Sequence, residues 1–199
     1  MQLGVLEKEL WLYRALNGRT IVFSKDIAEK STTLTYGYDV ALGIASIIGK
    51  ETAFGEAFHI TSDESYTWKE ILEIYLDTIE KKTGMRPKVL LLDKSPHLEW
   101  IGAKWQVILD RYYNRRFDNS KIQQYIDTSQ FVRTESGLIS CLESFLCHPQ
   151  FKKMGWGIQG TYDRITGEWA PFSEISIIKD CISYLLHRTV VPPKSKLSI

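Results

Sequence analysis

Residues 67 to 84 are the stretch that most narrows the ways in which this chain can fold. Thr67 and Glu70 have the spacing of a capping box, in which each side chain accepts a hydrogen bond from the other residue's backbone N–H. Apolar side chains then recur on one helical face, and Gly84 stands where a helix can end in a left-handed turn. The apolar run KVLLL, after Pro87, predicts a buried strand. A helix followed by a strand indicates a mixed α and β protein.

The same periodicities predict further elements. LEKELWLYRALNG predicts an amphipathic helix with Leu6, Leu10, Tyr13 and Leu16 on one face, and TIVF predicts a short strand. The segment after Pro149, FKKMGWGIQGTYDRITGEWAPFSE, is rich in glycine and aromatic residues and is predicted to form loops or hairpin turns. The other predicted elements are a helix from Tyr38, a strand at EAFHI, a helical or irregular segment at LEWIGAKWQVILDRYY, a short helix at FDNSKIQQYI, a helix from Thr134 and a last helix at SEISIIKDCISYLLHR.

Composition excludes several classes of protein. The 199 residues are 44% hydrophobic and 25% charged, as in folded proteins, and the net charge of +1 provides no field that would attract a nucleic acid or an anionic membrane. No apolar run approaches the roughly 20 residues that span a bilayer, and the first residues do not resemble a signal peptide. The three cysteines, Cys141, Cys147 and Cys181, have no paired spacing and are predicted to be reduced, buried thiols. We therefore expect a cytoplasmic protein, with neither a membrane nor a nucleic acid as its partner.

GWGIQG, residues 155 to 160, fits the glycine pattern of dinucleotide-binding loops. Such a loop needs a buried strand before the first glycine and a helix that starts at the third. Here a polar stretch precedes Gly155, and a predicted turn follows Gly160. We therefore predict three turn residues and no cofactor site.

Metal and nucleophile motifs give no support for a catalytic centre. His59, His97, His148 and His187 are far apart and have no ligand spacing, and no nucleophile elbow occurs. The densest basic and aromatic cluster is Tyr112, Tyr113, Arg115 and Arg116. Its residue types suit either an arginine fork around a phosphate or a solvated surface patch.

Three stretches together resemble a known family: LTYGYDVALGIASIIG, GEAFHITSDESYTWKEILEIY and RRFDNSKIQQYI. In this order and at these separations they are similar to the C-terminal half of the extended short-chain dehydrogenase/reductases, the NAD-dependent epimerases and dehydratases of nucleotide sugars. That family has an Asp-Val-Ala helix start, a Gly-Glu-x-Phe-Asn-Val strand, a Trp-containing capped helix and a later Arg with Asp-x-Ser-Lys. The resemblance covers about residues 6 to 150.

The chain also departs from the family. It has no N-terminal strand-glycine-helix unit, none of its ten tyrosines has a lysine four residues later, and His59 stands where the family has Asn. The resemblance thus implies a substrate-binding portion whose NAD(P) site and catalytic residues belong to a missing Rossmann half. We expect no catalytic, cofactor-binding or metal-binding residue in this chain, and no NAD affinity of its own. The substrate-binding residues that the resemblance implies are Arg116, Arg115, Trp11, Arg14 and His59, with Asp39 as a structural residue that orders its turn.

The predicted fold class is α/β, or α+β for the isolated chain, as the C-terminal half of a Rossmann-type protein. The predicted domains are residues 1–150 as the substrate-binding portion, 151–190 as an extension with loops and a final helix, and 191–199 as a tail. The resemblance implies a nucleotide sugar as the substrate. It also implies that this chain associates either with the missing Rossmann half or with a second copy of itself in a homo-oligomer. The alternatives are a binding module for RNA or protein, or a structural remnant that self-associates because an open edge needs cover.

Overall fold

The computed structural model describes residues 8–96, 101–151 and 154–190, and helices predominate in it. The short helices are α1 (Trp11–Leu16), α2 (Lys25–Ala28) and α5 (Ile101–Gln106), which continues as a π-helical turn over Val107–Arg111. The longer ones are α3 (Gly37–Ile47), α4 (Trp68–Thr83), α6 (Thr134–Cys147), α7 (Trp156–Thr166) and α8 (Ile178–Leu185), which continues as a π-helical turn over Leu186–Val190. Single 3₁₀ turns lie at Glu51–Ala53, Ile122–Gln124, Thr128–Gln130 and Phe172–Glu174.

Four short strands form two separate sheets in the described residues. β1 (Ile21–Ser24) pairs in parallel with β4 (Val89–Leu92), with Ile21 opposite Val89. β2 (Ser31–Thr32) pairs antiparallel with β3 (Tyr66–Thr67). Helices account for 55% of the structure and strands for 7%, so the chain is a mixed α+β protein. The prediction of that class is confirmed at this coarse level.

The chain divides into two compact units, and each of them is discontinuous in sequence. Unit 1 comprises Met1–Ile27, Thr83–Tyr112 and Pro149–Ile199, and unit 2 comprises Ala28–Lys82 and Tyr113–His148. The buried residues of unit 1 include β1 in full, Trp156 on α7 and Tyr184 on α8. Those of unit 2 include the inner face of α4 and the α6 residues Leu138 and Leu142.

Local signals fixed α4 as predicted. The Thr67 backbone N–H donates to the Glu70 carboxylate at 2.7 Å, and the Glu70 N–H donates to Thr67 Oγ1 at 3.1 Å, so the capping box is formed. At the other end Gly84 has a φ of 76°, which only glycine adopts without strain. In α3, Gly43 lies close to a neighbouring segment, because a Cβ built there would overlap the Ile60 side chain.

Several element predictions are wrong. EAFHI forms no strand, and Val89 and Leu91 of β4 are exposed, although KVLLL predicted a buried strand. In α1 the most deeply buried side chains are Trp11, Leu12 and Arg14, which are not the predicted apolar face. The predicted loop after Pro149 contains the helix α7. The tail at 191–199, together with Leu6 and His97, lies outside the described residues.

The cysteines and the membrane prediction can also be compared with the structure. All three cysteines are free thiols, but Cys147 is exposed and Cys141 and Cys181 are only partly buried, so the prediction of three buried thiols is wrong. Within the described residues, no helix has both the length and the apolar character that crossing a membrane requires.

Candidate functional site

Two segments of unit 2, residues 58–63 and 115–121, are joined through the side chain of Asn119, and we call them the Asn119 loop pair. The Asn119 amide donates to the Thr61 carbonyl and to an Asp63 oxygen, both at 2.7 Å. Its oxygen accepts from the Thr61 backbone N–H at 3.2 Å and from the Thr61 hydroxyl at 3.0 Å. Only 4% of Asn119 is exposed. Since every polar atom of this buried amide has a partner, the two segments are held in a fixed register.

His59 and Phe117 meet across the loop pair. Their ring centroids are 5.1 Å apart in an edge-on arrangement, and both side chains are exposed. Beside them, the Asp118 carboxylate accepts hydrogen bonds from the Ser120 N–H at 2.8 Å and the Ser120 hydroxyl at 3.0 Å. These hydrogen bonds, with a smaller contribution from His59, hold the pKa of Asp118 below its usual value. The loop pair therefore presents an aromatic ring, an imidazole and a carboxylate that Ser120 orients.

The two neighbouring arginines differ in what their side chains contact. Arg115 is half-buried, its N–H donates to the Ser31 carbonyl at 3.0 Å, and its guanidinium donates to the Thr32 hydroxyl. Arg116 is exposed and makes no hydrogen bond or ion pair with any residue that the structure describes. Arg115 thus secures the loop to β2, and the guanidinium of Arg116 is available to a ligand.

Lys121 adds a second cation to the same loop pair. Its ammonium forms an ion pair with Glu56 and lies 5.2 Å from the centroid of the Phe58 ring. The Phe58 ring in turn packs edge-on against Tyr125, with 5.6 Å between centroids. These contacts hold Phe58, next to His59 in the chain, in a fixed place.

Trp11 and Arg14, the other two predicted substrate-binding residues, lie in unit 1 and are buried. The Arg14 guanidinium donates to Asp163 at 2.6 Å, to Glu168 at 2.8 Å and to Gln159 at 3.2 Å, and its Nε donates to the Thr20 carbonyl at 2.7 Å. None of the Arg14 side chain is exposed. Arg14 is therefore a structural cation inside unit 1, and neither it nor Trp11 contributes to the site proposed below.

Further charged groups complete this cluster, which we call the Arg14 network (Arg14, Arg19, Asp163, Glu168 and Glu174). Arg19 donates to Asp163 at 3.3 Å and to Glu174 at 3.0 Å. The Tyr184 hydroxyl donates to Asp163 at 2.8 Å and accepts from the Ala170 N–H. Burial raises the pKa of Tyr184 to about 12, although the hydrogen bond from Ala170 acts in the other direction.

Sequence patterns did not reveal Asn119, Asp63 or Asp163. A short polar residue in a loop is commonly solvated, and only the long-range partners distinguish Asn119 and Asp63 from such residues. For Asp163 a signal was present in the sequence. Trp156, Gln159, Gly160 and Asp163 have the spacing of residues on one face of a helix, and this spacing could have indicated that the segment is helical and that Asp163 shares a face with Trp156.

Asp39 and GWGIQG have roles that differ from the predicted ones. Asp39 accepts a backbone N–H, as predicted, but the donor is Val132 at 2.9 Å and not its own turn. Gly157 and Gly160 are helical residues of α7, so the prediction of turn residues is wrong for both. A Cβ at Gly160 would overlap the Tyr184 carbonyl oxygen, and one at Gly157 would lie 2.9 Å from Ser183 Oγ. These glycines allow α7 and α8 to pack closely.

A cleft of about 460 Å³ in unit 2 is lined mainly by negatively charged side chains, whereas a phosphate site needs positively charged ones. Its lining includes the ammonium of Lys69, which is paired with Glu29, and the more numerous carboxylates of Glu29, Glu70, Glu73, Asp77 and Glu135. The backbone and side chain of Thr67 donate to Glu70 and lower the pKa of that carboxyl, so it is charged at neutral pH. Anions are repelled from such a lining. Among the described residues, no group of three or more histidine, cysteine or acidic side chains is placed to hold a metal ion.

Searches of protein-family models, of curated proteins and of solved structures found no match to this chain.

Proposed function

We propose that the chain is the substrate-binding portion of an NAD-dependent epimerase/dehydratase-like protein, in which the Asn119 loop pair binds the phosphates of a nucleotide sugar. One observation carries this proposal. The three stretches that resemble the family all contribute to unit 2, and Asn119, in the third of them, joins that stretch to the second through four hydrogen bonds. In this proposal the chain supplies substrate binding, and a Rossmann half would supply the hydride chemistry.

The chemistry of the loop pair suits a diphosphate. Arg116 offers N–H donors in a planar fork, which matches two oxygens of a phosphate. Asp118, the carboxylate two residues later, accepts from Ser120, and it forms no ion pair with Arg116. The exposed Phe117 and His59 rings offer flat surfaces beside this cation, on which a base or a sugar can stack.

The two-stranded sheet of unit 1 supports the proposal that this chain is part of a larger α/β protein. Parallel sheets are normally covered on both faces and joined to further strands. Here β1 and β4 form a parallel pair in which Val89 is 36% and Leu91 45% exposed. A Rossmann half would extend such a sheet and cover these side chains.

Calorimetric titration of the chain with UDP, GDP, dTDP and ADP at low salt tests the proposal. We expect at least one of these nucleotides to bind with a dissociation constant below about 1 mM. Arg116→Ala should weaken that binding by a factor of about 10 to 100, since a charge-assisted hydrogen bond to phosphate is lost. Arg133→Ala is the matched control, because Arg133 is also an exposed arginine of unit 2 but is paired with Glu64 at 3.2 Å. It should change the affinity less than twofold.

Two outcomes would contradict this proposal. One is the absence of binding by any of the four nucleotides at millimolar concentration, and the other is an equal loss in the Arg116→Ala and Arg133→Ala variants. The same titration with NAD is expected to give no heat of binding, and micromolar NAD affinity would show that the chain holds a cofactor site of its own.

A further inference from the structure

The last helix of unit 1 has apolar side chains on two opposite faces. On the inner face Tyr184 is fully buried, and Cys181 and Leu185 pack against the same core. On the outer face Ile178, Ile182, Leu186 and Val190 are 80%, 53%, 43% and 66% exposed. We call these four residues the outer row. Solvated helix faces are normally polar, so a continuous apolar row indicates an interaction surface.

The π-helical turn keeps the outer row on one face. In an α-helix each step of four residues advances about 40° beyond a full turn, so Ile178, Ile182 and Leu186 drift around the helix. From Leu186 the helix continues as a wider π turn, in which hydrogen bonds span five residues. A step of four residues then falls short of a full turn, and Val190 returns towards the line of Ile182. The four side chains consequently stay within a sector of about 80° on one side of the helix, over a length of about 18 Å.

We propose that the outer row is the interface between two copies of this chain, packed antiparallel about a two-fold axis. Such an interface must be complementary to itself. Each residue contacts the residue of the other copy that lies at the same distance on the opposite side of the two-fold axis. With the axis near Tyr184, Ile182 meets the partner's Leu186, and Ile178 meets the partner's Val190. Every contact along the row is then aliphatic.

The area of the row suits a second copy. An exposed aliphatic side chain offers on the order of 100 Å² of apolar surface. The four residues of the row would remove roughly 400 Å² per copy and 800 Å² in total. That is the size of a weak, transient interface, so a dimer with a dissociation constant of roughly tens to hundreds of micromolar is expected.

Charge favours the antiparallel arrangement. Lys179 is exposed beside the row, and a parallel pair would bring the two Lys179 ammonium groups together. In the antiparallel pair they lie at opposite ends, about 15 Å apart along the axis. Arg188 is already used, since its Nε donates to the Glu168 carbonyl at 3.0 Å and its guanidinium lies 4.4 Å from the centroid of the Trp169 ring.

Sedimentation velocity of the full chain from about 1 to 200 μM tests the proposed dimer. The wild type should shift from monomer to dimer in this range. Ile182→Lys should weaken association by a factor of about 30 or more, because it places a cation at the centre of an apolar contact. Ile44→Lys is the matched control, an isoleucine on α3 with 48% exposure, and should leave association unchanged. Circular dichroism checks that each variant folds, and Leu186→Lys is a second variant of the row should Ile182→Lys fail to fold.

Cysteine cross-linking tests the orientation. In a Cys147→Ser background, which removes the exposed native thiol, chains with Ile178→Cys are mixed with chains carrying Val190→Cys under mild oxidation. The mixture should form a disulfide-linked dimer, and neither variant alone should form one. Cross-linking of the Ile178→Cys chain with itself would overturn the antiparallel arrangement.

Other results would overturn the dimer itself. These are a monomer at every concentration, or equal weakening by Ile182→Lys and Ile44→Lys. A monomer that binds phosphatidylcholine and phosphatidylserine vesicles, and loses this binding in Ile182→Lys, would assign the row to a membrane surface instead. Nucleotide binding by the Asn119 loop pair does not depend on any of these outcomes, so the two proposals can fail separately.

Discussion

Arg14 illustrates that an arginine can serve either to bind a substrate or to neutralise buried carboxylates. An arginine on a predicted amphipathic helix, in a chain that resembles nucleotide-sugar enzymes, was expected to line a substrate entrance. The structure instead gives it the carboxylates of Asp163 and Glu168 in the interior of unit 1. A buried cation needs fixed counter-charges, and these come from residues about 150 positions later in the chain. No local pattern around Arg14 contains this information.

The Arg14 network leads to a prediction about stability. Arg14→Met removes the cation and leaves Asp163 buried with one arginine fewer, so the free energy of unfolding should fall by about 3–5 kcal/mol. Urea denaturation followed by circular dichroism measures this change. The control is Lys25→Met, since Lys25 and Asp93 form an exposed pair, 60% and 88% accessible, that should contribute less than about 1 kcal/mol. Equal effects of the two substitutions would show that the network does not stabilise unit 1.

Glu168 predicts part of the response of stability to acid. Burial acts to raise the pKa of Glu168, but hydrogen bonds from Thr20 and Thr166 and the charge of Arg14 outweigh it and hold the pKa below the ordinary value of 4.5. Because the folded pKa is lowered, the stabilisation is complete above the ordinary value and is lost as the pH falls through the folded value.

The matching experiment compares wild type and Glu168→Gln in urea at several pH values. The free energy of unfolding of the wild type should fall more steeply between about pH 5 and pH 3 than that of Glu168→Gln, which cannot titrate at this position. Parallel pH profiles would mean that the Glu168 carboxylate is not preferentially stabilised in the folded state.

At the scale of elements, strong local signals predicted the structure well and weak ones did not. α4 has a capping box, an apolar face and a terminal glycine, and all three act within the helix itself. EAFHI had only alternation, and in the structure its neighbourhood is organised by Asn119 through side-chain bonds to Thr61. Alternation alone does not form a strand when no partner strand is in reach.

The prediction that GWGIQG forms turns was wrong for a different reason. Glycines lower helix propensity by up to about 1 kcal/mol each, so the segment looked like a loop. In α7 that cost is offset by packing, because Gly160 lets the helix approach the α8 backbone at Tyr184. Two glycines at this spacing therefore mark a helix contact here.

Gly160→Ala tests this interpretation. Its methyl group would overlap the Tyr184 carbonyl, which is backbone and cannot turn aside, so the free energy of unfolding should fall by about 1–3 kcal/mol. Gly37→Ala is the control, because Gly37 is also helical but has no atom within 4 Å of the added carbon. That variant should be unchanged or more stable by up to about 1 kcal/mol. Thermal or urea unfolding that ranks the two variants the other way would refute the packing role.

At the scale of the whole molecule, chain order is a poor guide to which segments associate. Unit 1 combines the first residues, a central segment and the last segment, and unit 2 is inserted in two pieces. The boundary predicted at residue 150 lies next to the point where the chain passes from unit 2 to unit 1, at His148 and Pro149. The predicted site residues separate in the same way, with His59, Arg115 and Arg116 in unit 2, and Trp11 and Arg14 in unit 1.

Local sequence was enough to predict the features that depend on neighbours within a few residues. These are the helices with caps or a clear apolar period and the short strand at β1. Four features became visible only from long-range packing: Arg14 is buried, Asn119 joins two loops, GWGIQG packs α7 on α8, and the outer row is exposed. The physical reason is that burial and hydrogen-bond satisfaction depend on partners distant in sequence, whereas caps and periodicity act within a turn or two of chain.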